Sequence, residues 1–247
     1  MTDSTSRVRD NPRTRPAKAA LSRQAVIAAA LALVDEVGYA AVTMRRVAQA
    51  LDTGPASLYV YVADRDELMA GVHDLALAAV ELPRPADGDW RARLELLVSR
   101  LIETLGGHDD IALVAITRVP TGPQALRILE ETLTLLRAGG IDDATCPWAA
   151  DLLDQYVTSS ALELAARLRD QRAMTAAAGA AEATEEAMTR AARSELDAVY
   201  SELPAATHPT IHALRPAMTT AGRTSHTSAA WKLGVIIDGL LAHHPQP

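Results

Sequence analysis

The sequence predicts an all-α protein. Its 247 residues are rich in Ala and Leu, include no Phe, and contain few β-branched runs bounded by turn residues. Apolar residues recur at intervals of three and four along much of the chain, which is the spacing of one face of a helix. Gly and Pro residues interrupt these stretches. Together these observations predict a series of amphipathic helices joined by short connections.

The first helices are expected between residues 21 and 66. Ser22 can cap the first helix, and Gly38 supplies its C-terminal stop. Thr43 can cap the second with its hydroxyl, and a turn at residues 52–54 separates it from a third. Two helices joined by a tight turn that contains Gly are typical of the helix-turn-helix, whose second helix lies in the major groove of DNA. The N-terminal bundle is therefore a candidate DNA-binding domain.

The third helix, expected from Pro55 to about Tyr61, is the candidate recognition helix. It is very short, and polar or exposed-type side chains cover most of its circumference. Such side chains can contact base edges, thymine methyl groups or phosphates, with help from Arg residues on the helices before and after. The predicted DNA-contacting residues are Thr43, Arg45, Pro55, Ala56, Ser57, Tyr59, Val60, Tyr61 and Arg65. For Tyr59, packing against the first helix is the alternative.

The charge of the chain is distributed unevenly. The net charge is −7, yet residues 1–24 carry six basic and two acidic side chains. Residues 1–80 are balanced, with nine of each sign, so the acidic excess lies entirely in residues 81–247. Residues 1–20, with Pro among Ser, Thr and Arg, are expected to be a disordered basic arm. The arm could contact phosphates or a minor groove, or it could be only a solvated tail.

The rest of the chain predicts a larger helical domain, residues 67–247. Asp64 and Glu67 form a capping-box pattern for a fourth helix, which is expected to reach about Leu82. Further helices are expected at residues 90–105, 111–116, 124–138, 147–171, 185–203 and 225–243. Residues 173–184, nearly all Ala, Thr and Gly, leave both a continued helix and a loop open, and residues 204–209 are expected to form a connection.

The motifs of the N-terminal bundle resemble those of a known family. Residues 21–69 contain a helix that ends at Gly-Tyr, then T-x-R-x-V-A, a short turn, a small-residue/Leu-Tyr helix, and D-R-D-E-L. This set is similar to the DNA-binding domain of the tetracycline-repressor (TetR) family. A looser resemblance to the ligand-binding domain of that family covers Thr117-Arg118 with its Pro loop and the final W-x-x-G-x-x-x-x-G-L pattern.

The resemblance implies a cavity for a small molecule and a homodimer. Helices that enclose a ligand need an apolar lining with a few convergent polar groups. The predicted ligand-binding residues are His73, Thr117, Arg118, Trp148, Gln155, Tyr156 and Ser159. The alternatives are an interior histidine for His73, a core residue for Tyr156 and a surface ion pair for Arg118.

The final helix is apolar on several faces, which predicts that a second copy of the chain covers part of it. It is expected to pair with the helix at residues 147–171 and with the symmetry mates of both, as a four-helix bundle. The predicted dimer-interface residues are Leu153, Val157, Ala161, Leu233, Ile237 and Leu240.

Other classes of protein find little support in the sequence. No nucleophile, zinc-hydrolase or phosphate-loop motif is present, so no enzyme and no cofactor are expected. The tetracycline repressor binds its drug with a magnesium ion, but no matching His constellation occurs here, and no metal is expected. The single Cys146 excludes an internal disulfide. Without a signal-peptide pattern or an 18-residue apolar run, the expected location is the cytoplasm, away from the membrane.

The expected function is that of a dimeric, ligand-responsive transcriptional regulator, most simply a repressor. Its expected partners are a pseudo-palindromic operator in double-stranded DNA, a small-molecule effector and a second copy of the chain. The alternative is an all-α ligand-binding or scaffold protein that does not bind DNA. The residues identify neither the effector nor the operator.

Overall fold

The computed structural model describes residues 21–178, 185–220 and 226–243, and all regular structure in these ranges is helical. The predicted all-α class is confirmed. The predicted basic arm, residues 1–20, lies outside the described residues. The helices of the N-terminal bundle are α1 (Arg23–Val37), α2 (Met44–Ala50), α3 (Pro55–Leu58) and α4 (Arg65–Leu77), with a short 3-10 helix at Tyr39–Ala41.

The predicted caps of the N-terminal helices are present. The Ser22 hydroxyl accepts a hydrogen bond from the N–H of Ala25, three residues into α1. The Thr43 hydroxyl does the same for the N–H of Arg46 at the start of α2, at 3.2 Å. These caps use local sequence alone, because donor and acceptor are three residues apart.

Helix α3 is shorter than predicted. It ends at Leu58, and the chain continues as a turn in which Tyr61 and Val62 both donate to the Leu58 carbonyl. Leu58 and Val62 are buried, which holds this turn against the bundle. Tyr59 and Val60, between them, are consequently directed outward.

Helix α4 connects the bundle to the rest of the protein. The Asp64 carboxylate accepts the N–H of Glu67, and Glu67 in turn accepts the N–H of Ala63, so the predicted capping box closes one residue earlier than the standard pattern. The helix ends at Leu77, before the predicted Leu82, because residues 78–80 form turns instead. The predicted domain boundary therefore falls inside the first turn of α4, which packs against both α1 and the larger domain.

The larger domain contains α5 (Trp90–Gly107), α6 (Leu113–Thr117), α7 (Pro123–Ala138), α8 (Cys146–Ala178), α9 (Glu185–Glu202), α10 (Pro209–Thr220) and α11 (His226–His243), with 3-10 helices at Pro85–Asp87 and Asp109–Ala112. Helix α8 continues past the predicted residue 171, and α10 was not predicted at all. Helices α5 and α8 pack closely at Gly106, where a Cβ would lie 2.7 Å from the Leu164 side chain. No helix in the described ranges is long and apolar enough to cross a membrane.

The segment between α5 and α6 joins the two parts of the molecule. The Asp109 carboxylate accepts the backbone N–H of Tyr39 at 2.8 Å and lies 2.6 Å from the Arg169 guanidinium of α8. Burial opposes ionisation of Asp109, but these hydrogen bonds outweigh it and lower its pKa. Beside it, the His108 ring nitrogen lies 2.7 Å from the carboxylate of Asp35 on α1.

Candidate DNA-binding surface and ligand cavity

The outward face of α3 carries most of the predicted DNA-contacting residues. Pro55 and Ala56 are exposed, and so are Tyr59 and Val60, the latter by 79%. Ser57 is half-buried. The exposed side chains offer apolar groups and one tyrosine hydroxyl, the groups that contact thymine methyls and phosphates. No basic residue lies on α3 itself.

Two predicted contacts lie on α2 or at its start. Arg45 is exposed on α2, the helix that precedes α3 in the helix-turn-helix. Thr43 is also exposed, although its hydroxyl already accepts the capping hydrogen bond. Arg46, on the next position, donates to the Ala41 carbonyl at 3.1 Å. Arg45 is therefore the basic side chain of this motif best placed to reach DNA.

Two other predicted DNA contacts form hydrogen bonds inside the bundle. The Tyr61 hydroxyl donates to the Leu21 carbonyl at 2.8 Å. The Arg65 guanidinium donates to the carbonyls of Val42 and Tyr39, both at 2.9 Å, and stacks over the Tyr39 ring. The Tyr61 bond ties the turn before α4 to the segment before α1, and the Arg65 bonds tie the start of α4 to the segment between α1 and α2. The sequence pattern does not reveal these roles.

The larger domain encloses a cavity of about 380 Å³. Its wall is formed by α4, α5, α7 and α8 together with the segment between α6 and α7. Most of the lining is Leu, Val, Ile and Ala, as is typical of sites for small organic ligands. Three polar side chains with ionisable groups also line it: His73, Asp151 and Asp154.

His73 is the predicted ligand-binding residue that the structure places in the cavity wall. Its side chain is buried, with 4% exposure, and its Nε2 has no hydrogen-bond partner. Burial lowers the pKa of His73 to about 4, against an opposing effect of the Asp74 carboxylate. The ring is therefore neutral at pH 7, and its Nε2 is a buried polar atom without a hydrogen-bond partner among the described residues.

Asp74, the next residue of α4, binds a different element. Its carboxylate accepts the backbone N–H groups of Gln124 and Ala125, each at 3.0 Å, at the beginning of α7. Two N–H groups of a helix N-terminus are thereby satisfied by a side chain 50 residues away. Gly122 allows this approach, because a Cβ there would lie 2.1 Å from an Asp74 oxygen. Adjacent residues of α4 thus contact the cavity and the start of one of its walls.

The ligand-binding residues predicted on α8 lie outside the cavity wall. Trp148 is 77% exposed, the Gln155 amide donates to Asp151, and the Ser159 hydroxyl donates to the Tyr156 carbonyl. Tyr156 itself donates to the Ala229 carbonyl of α11 at 2.9 Å. The cavity faces the neighbouring stripe of α8, because successive helical residues are about 100° apart, so the ligand contacts of these four residues stay predictions.

The stripe of α8 that does face the cavity includes Pro147, Ala150, Asp151, Asp154 and Val157. Its positions follow helical spacing, and they place two carboxylates beside apolar residues. That arrangement of acids along an apolar stripe was a signal that could have located the site.

The loop residues Thr117 and Arg118 are also absent from the wall, although their neighbours are present. Ala115, Val119 and Pro120 line the cavity. The Thr117 hydroxyl donates back to the Val114 carbonyl at 3.2 Å. The predicted segment therefore lies next to the cavity, whereas Thr117 and Arg118 themselves are not among the residues that line it.

The predicted dimer-interface residues mostly pack within their own chain. Leu153, Val157, Ala161, Leu233 and Ile237 are all buried within the single chain, and Leu240 is half-buried against the same core. Their burial leaves little surface for a partner, and their place in a dimer interface stays a prediction.

Other apolar side chains of the same two helices are exposed. On α8 these are Trp148 and Leu152, and on α11 they are Trp231 and Val235, with exposures from 42% to 77%. Each pair is four residues apart and so lies on one face of its helix.

Comparison with known proteins agrees with this division of the molecule. The profile described as "Bacterial regulatory proteins, tetR family" matches residues 26–72, and the profile described as "Tetracyclin repressor-like, C-terminal domain" matches residues 82–243. The transcriptional repressor DrrR1 of Streptomyces coeruleorubidus is 36% identical over 153 residues, which are 60% of this chain and 55% of that repressor. The match thus spans little more than half of that relative's length.

Solved structures share the fold over almost the whole chain. ActR of Streptomyces coelicolor, in complex with actinorhodin, is 33% identical, with a TM-score of 0.73 over 92% of this chain and 99% of that one. BioQ bound to its double-stranded DNA operator is 28% identical, with a TM-score of 0.55 over 63% of this chain and 94% of that one. Since the two profiles together cover most of the sequence, this chain belongs to the TetR family of bacterial regulatory proteins.

Proposed function

We propose that the chain is a homodimeric transcriptional repressor that leaves its operator when a small molecule occupies the cavity. Related proteins support each part of this function: DrrR1 is a repressor, ActR has been solved with a small molecule, and BioQ with an operator. The observation that carries the proposal is the position of α4. This helix packs on the DNA-binding bundle and also contributes His73 to the cavity wall.

DNA binding is proposed to depend on a few placed side chains. Arg45, Ala56, Tyr59 and Val60 are the exposed candidates, and Thr43, Pro55 and Ser57 lie beside them. Residues 1–80 carry no net charge, so the nonspecific attraction to phosphates is weak for this domain alone. The hydrogen bonds of Tyr61 and Arg65 support a structural role, although their predicted DNA contacts stay predictions.

A homodimer would add the affinity of a second domain. We propose that the exposed residues Trp148, Leu152, Trp231 and Val235 form its interface, with α8 and α11 pairing with their symmetry mates. Two recognition helices about 34–36 Å apart would then reach successive major grooves of a pseudo-palindrome. The acidic larger domain would set this separation.

Release of the protein from its operator on ligand binding is proposed to follow from the contacts of α4 with α7. A molecule in the cavity touches His73, and it also displaces the start of α7, to which Asp74 is bonded. Both effects would move α4 and the bundle on it. The ligand needs to favour the displaced arrangement by about 1–3 kcal/mol to give a usual allosteric response.

The test of DNA binding begins with selection of duplexes from a random library, because the operator is unidentified. The expected product is a two-fold symmetric consensus whose half-sites are about one helical turn apart. With that duplex, Arg45→Ala should weaken binding about tenfold. Arg84→Ala, which removes an equal charge from an exposed position in the larger domain, should leave the affinity unchanged. Failure to enrich any sequence would favour the alternative, a helical ligand-binding or scaffold protein.

The test of the dimer uses sedimentation of two variants. Trp148→Asp combined with Trp231→Asp places charges in the proposed interface and should yield monomers. Val199→Asp introduces the same kind of change on α9, where the side chain is 53% exposed, and should remain dimeric. A dimeric double variant would exclude this face as the interface.

A further inference from the structure

The charged side chains that line the cavity are all acidic. Among the described residues that line it, none is Lys or Arg, whereas two are Asp. His73 adds no positive charge, because its ring is neutral at pH 7. The apolar body of the cavity is therefore combined with negative charge alone.

Asp154 is the carboxylate with unused hydrogen-bonding capacity. One oxygen of Asp151 already accepts the Gln155 amide at 2.7 Å. Asp154 has no hydrogen-bond partner among the described residues, and it lies in the cavity wall three residues further along α8. Asp154 is nonetheless an exposed residue in the single chain, so solvent also reaches it. Partial desolvation by the neighbouring protein and the Asp151 charge both raise the pKa of Asp154, so a nearby cation would relieve an existing cost.

His73 provides an independent sign of a ligand. Only 4% of the His73 surface is exposed, and its Nε2 has no hydrogen-bond partner among the described residues. The residue belongs to the same cavity wall. Buried polar atoms in folded proteins are almost always hydrogen-bonded, so an orphaned one in a cavity indicates a site for a polar group of a ligand. The site would thus offer a hydrogen bond on α4 and a negative charge on α8.

We propose that the cavity selects amphipathic organic cations: a protonated amine next to Asp154, and an apolar body between α5 and α7 that carries a polar group to His73. This proposal rests on the proposed function, because it names the class of effector. An anion of the same shape would face two carboxylates and no cation, and would lose its hydration without compensation. A neutral analogue of the same shape would bind with an affinity between those of the cation and the anion.

The test uses three fluorescent probes that share one tricyclic body: 9-(aminomethyl)anthracene, 9-anthracenemethanol and 9-anthracenecarboxylate. Each is titrated into the full-length protein at pH 7 without DNA. We expect the amine to bind about tenfold or more tightly than the carboxylate, with the alcohol intermediate. Equal binding of amine and carboxylate, tighter binding of the carboxylate, or no binding of any probe would overturn the proposal.

Substitutions assign the preference to its source. Asp154→Asn should reduce the preference for amine over carboxylate to about twofold, whereas Asp154→Glu should retain most of it. Asp170→Asn removes one negative charge from an exposed position on the same helix outside the cavity wall, and should leave the preference intact. An unchanged preference in a folded Asp154→Asn variant would contradict the proposal, with folding checked by circular dichroism.

The test of the ligand class and the test of the proposed function can fail independently of each other. If duplex selection succeeds and the cation preference is absent, the repressor function stands and the ligand class is wrong. If the preference is present and no DNA sequence is enriched, the cavity binds cations in a protein that is not a repressor.

Discussion

Two helices of this protein begin with the same dipeptide in different surroundings. Gly54-Pro55 begins α3 in the DNA-binding bundle, and Gly122-Pro123 begins α7 in the larger domain. Both glycines have extended backbones, as residues before proline usually do. Around Gly54 a Cβ would meet nothing within 4 Å, whereas at Gly122 it would overlap the Asp74 side chain.

The difference distinguishes the start of α7 from the helix starts of the bundle, although α5 in the larger domain is also capped locally, by Asp89. In the bundle, helix starts are stabilised by residues three positions away, as at Ser22 and Thr43. In the larger domain, the start of α7 depends on a carboxylate from another helix. The proposed function would follow the same contrast: α3 would present its local sequence to DNA, while the cavity depends on contacts distant in sequence.

The largest expected effect is the difference in stability between adding a methyl group at Gly122 and adding one at Gly54. Gly122→Ala should lower the free energy of unfolding by about 2–3 kcal/mol, because Asp74 has to leave the start of α7 and its hydrogen bonds are lost. Gly54→Ala should change it by less than about 0.5 kcal/mol, since open space surrounds the new group. Denaturant unfolding of both variants measures the contrast, and equal effects would remove it.

The double variant Asp74→Ala/Gly122→Ala sharpens this prediction. Without the carboxylate, only the Cβ of residue 74 remains close to the new Cβ, at 2.8 Å. The double variant should therefore be only slightly less stable than Asp74→Ala alone, by about 1 kcal/mol or less. Additive effects of the two substitutions would show that Gly122 acts through some other neighbour.

Removal of a capping side chain should lower the free energy of unfolding by a smaller amount. It should weaken ligand binding only when the side chain belongs to the larger domain. Asp74→Ala should lower the free energy of unfolding by about 1–2 kcal/mol and also weaken ligand binding, since the wall of the cavity loosens. Thr43→Ala should lower it by about 1 kcal/mol and leave ligand binding unchanged. Probe titrations and thermal unfolding of the two variants test this. Loss of ligand affinity in Thr43→Ala would contradict the separation.

The contact between the regions should depend on pH. The folded-state pKa of Asp109 is lowered, so its stabilising effect is complete above its unfolded value of about 4 and is lost as the pH falls through the folded value. Asp109→Asn should therefore cost about 1 kcal/mol near pH 7, and the difference from wild type should shrink as the pH falls below about 4.

Asn suits this position, because Asp109 has a positive φ of 51° that Asn also tolerates. Asp170→Asn, at an exposed position, is the control and should differ from wild type by less than about 0.5 kcal/mol throughout. A wild-type advantage over Asp109→Asn that grows as the pH falls would reverse the sign worked out for Asp109.

The smallest expected effects distinguish two tyrosines within the bundle. Tyr61→Phe removes the hydrogen bond to the Leu21 carbonyl and should cost about 0.5–1 kcal/mol of stability. Tyr59→Phe removes a hydroxyl from a side chain that is 54% exposed, and should leave stability unchanged while weakening DNA binding a few-fold. If Tyr61→Phe instead weakened DNA binding at unchanged stability, the predicted phosphate contact of Tyr61 would be restored.

The sequence predicted the all-α class, the helix caps and the helix-turn-helix because each depends on neighbouring residues. Ser22, Thr43 and Pro55 signal helix starts within a few positions of where they act. The lengths of α3 and α4 were overestimated because apolar spacing continues through the turns that follow them. Helix α10 is not predicted, because Pro204 and Pro209 indicate a connection, whereas Pro209 in fact begins the helix and Pro216 lies inside it.

The faces of the long helices could not be assigned in the same way. Helix α8 has apolar residues on several sides, so the sequence alone predicts Leu153 for the dimer and Trp148 for the ligand, whereas Leu153 lines the cavity and Trp148 is exposed. The positions of α5, α6, α7 and the 3-10 helix at Asp109–Ala112 decide which stripe of α8 is covered. The bonds of Asp74 and Asp109 were also invisible, because their partners are 50 to 70 residues away.

The adjacency of His73 and Asp74 constrains how the specificity of this protein can be altered. A substitution on this turn of α4 would disturb ligand contact and scaffold together, so a change of effector selected there would tend to cost inducibility. The cavity-facing stripe of α8, at Ala150, Asp151 and Asp154, lines the same cavity from a helix that lies outside the N-terminal bundle. A biosensor for a new molecule is best evolved from that stripe, with α4 kept as it is.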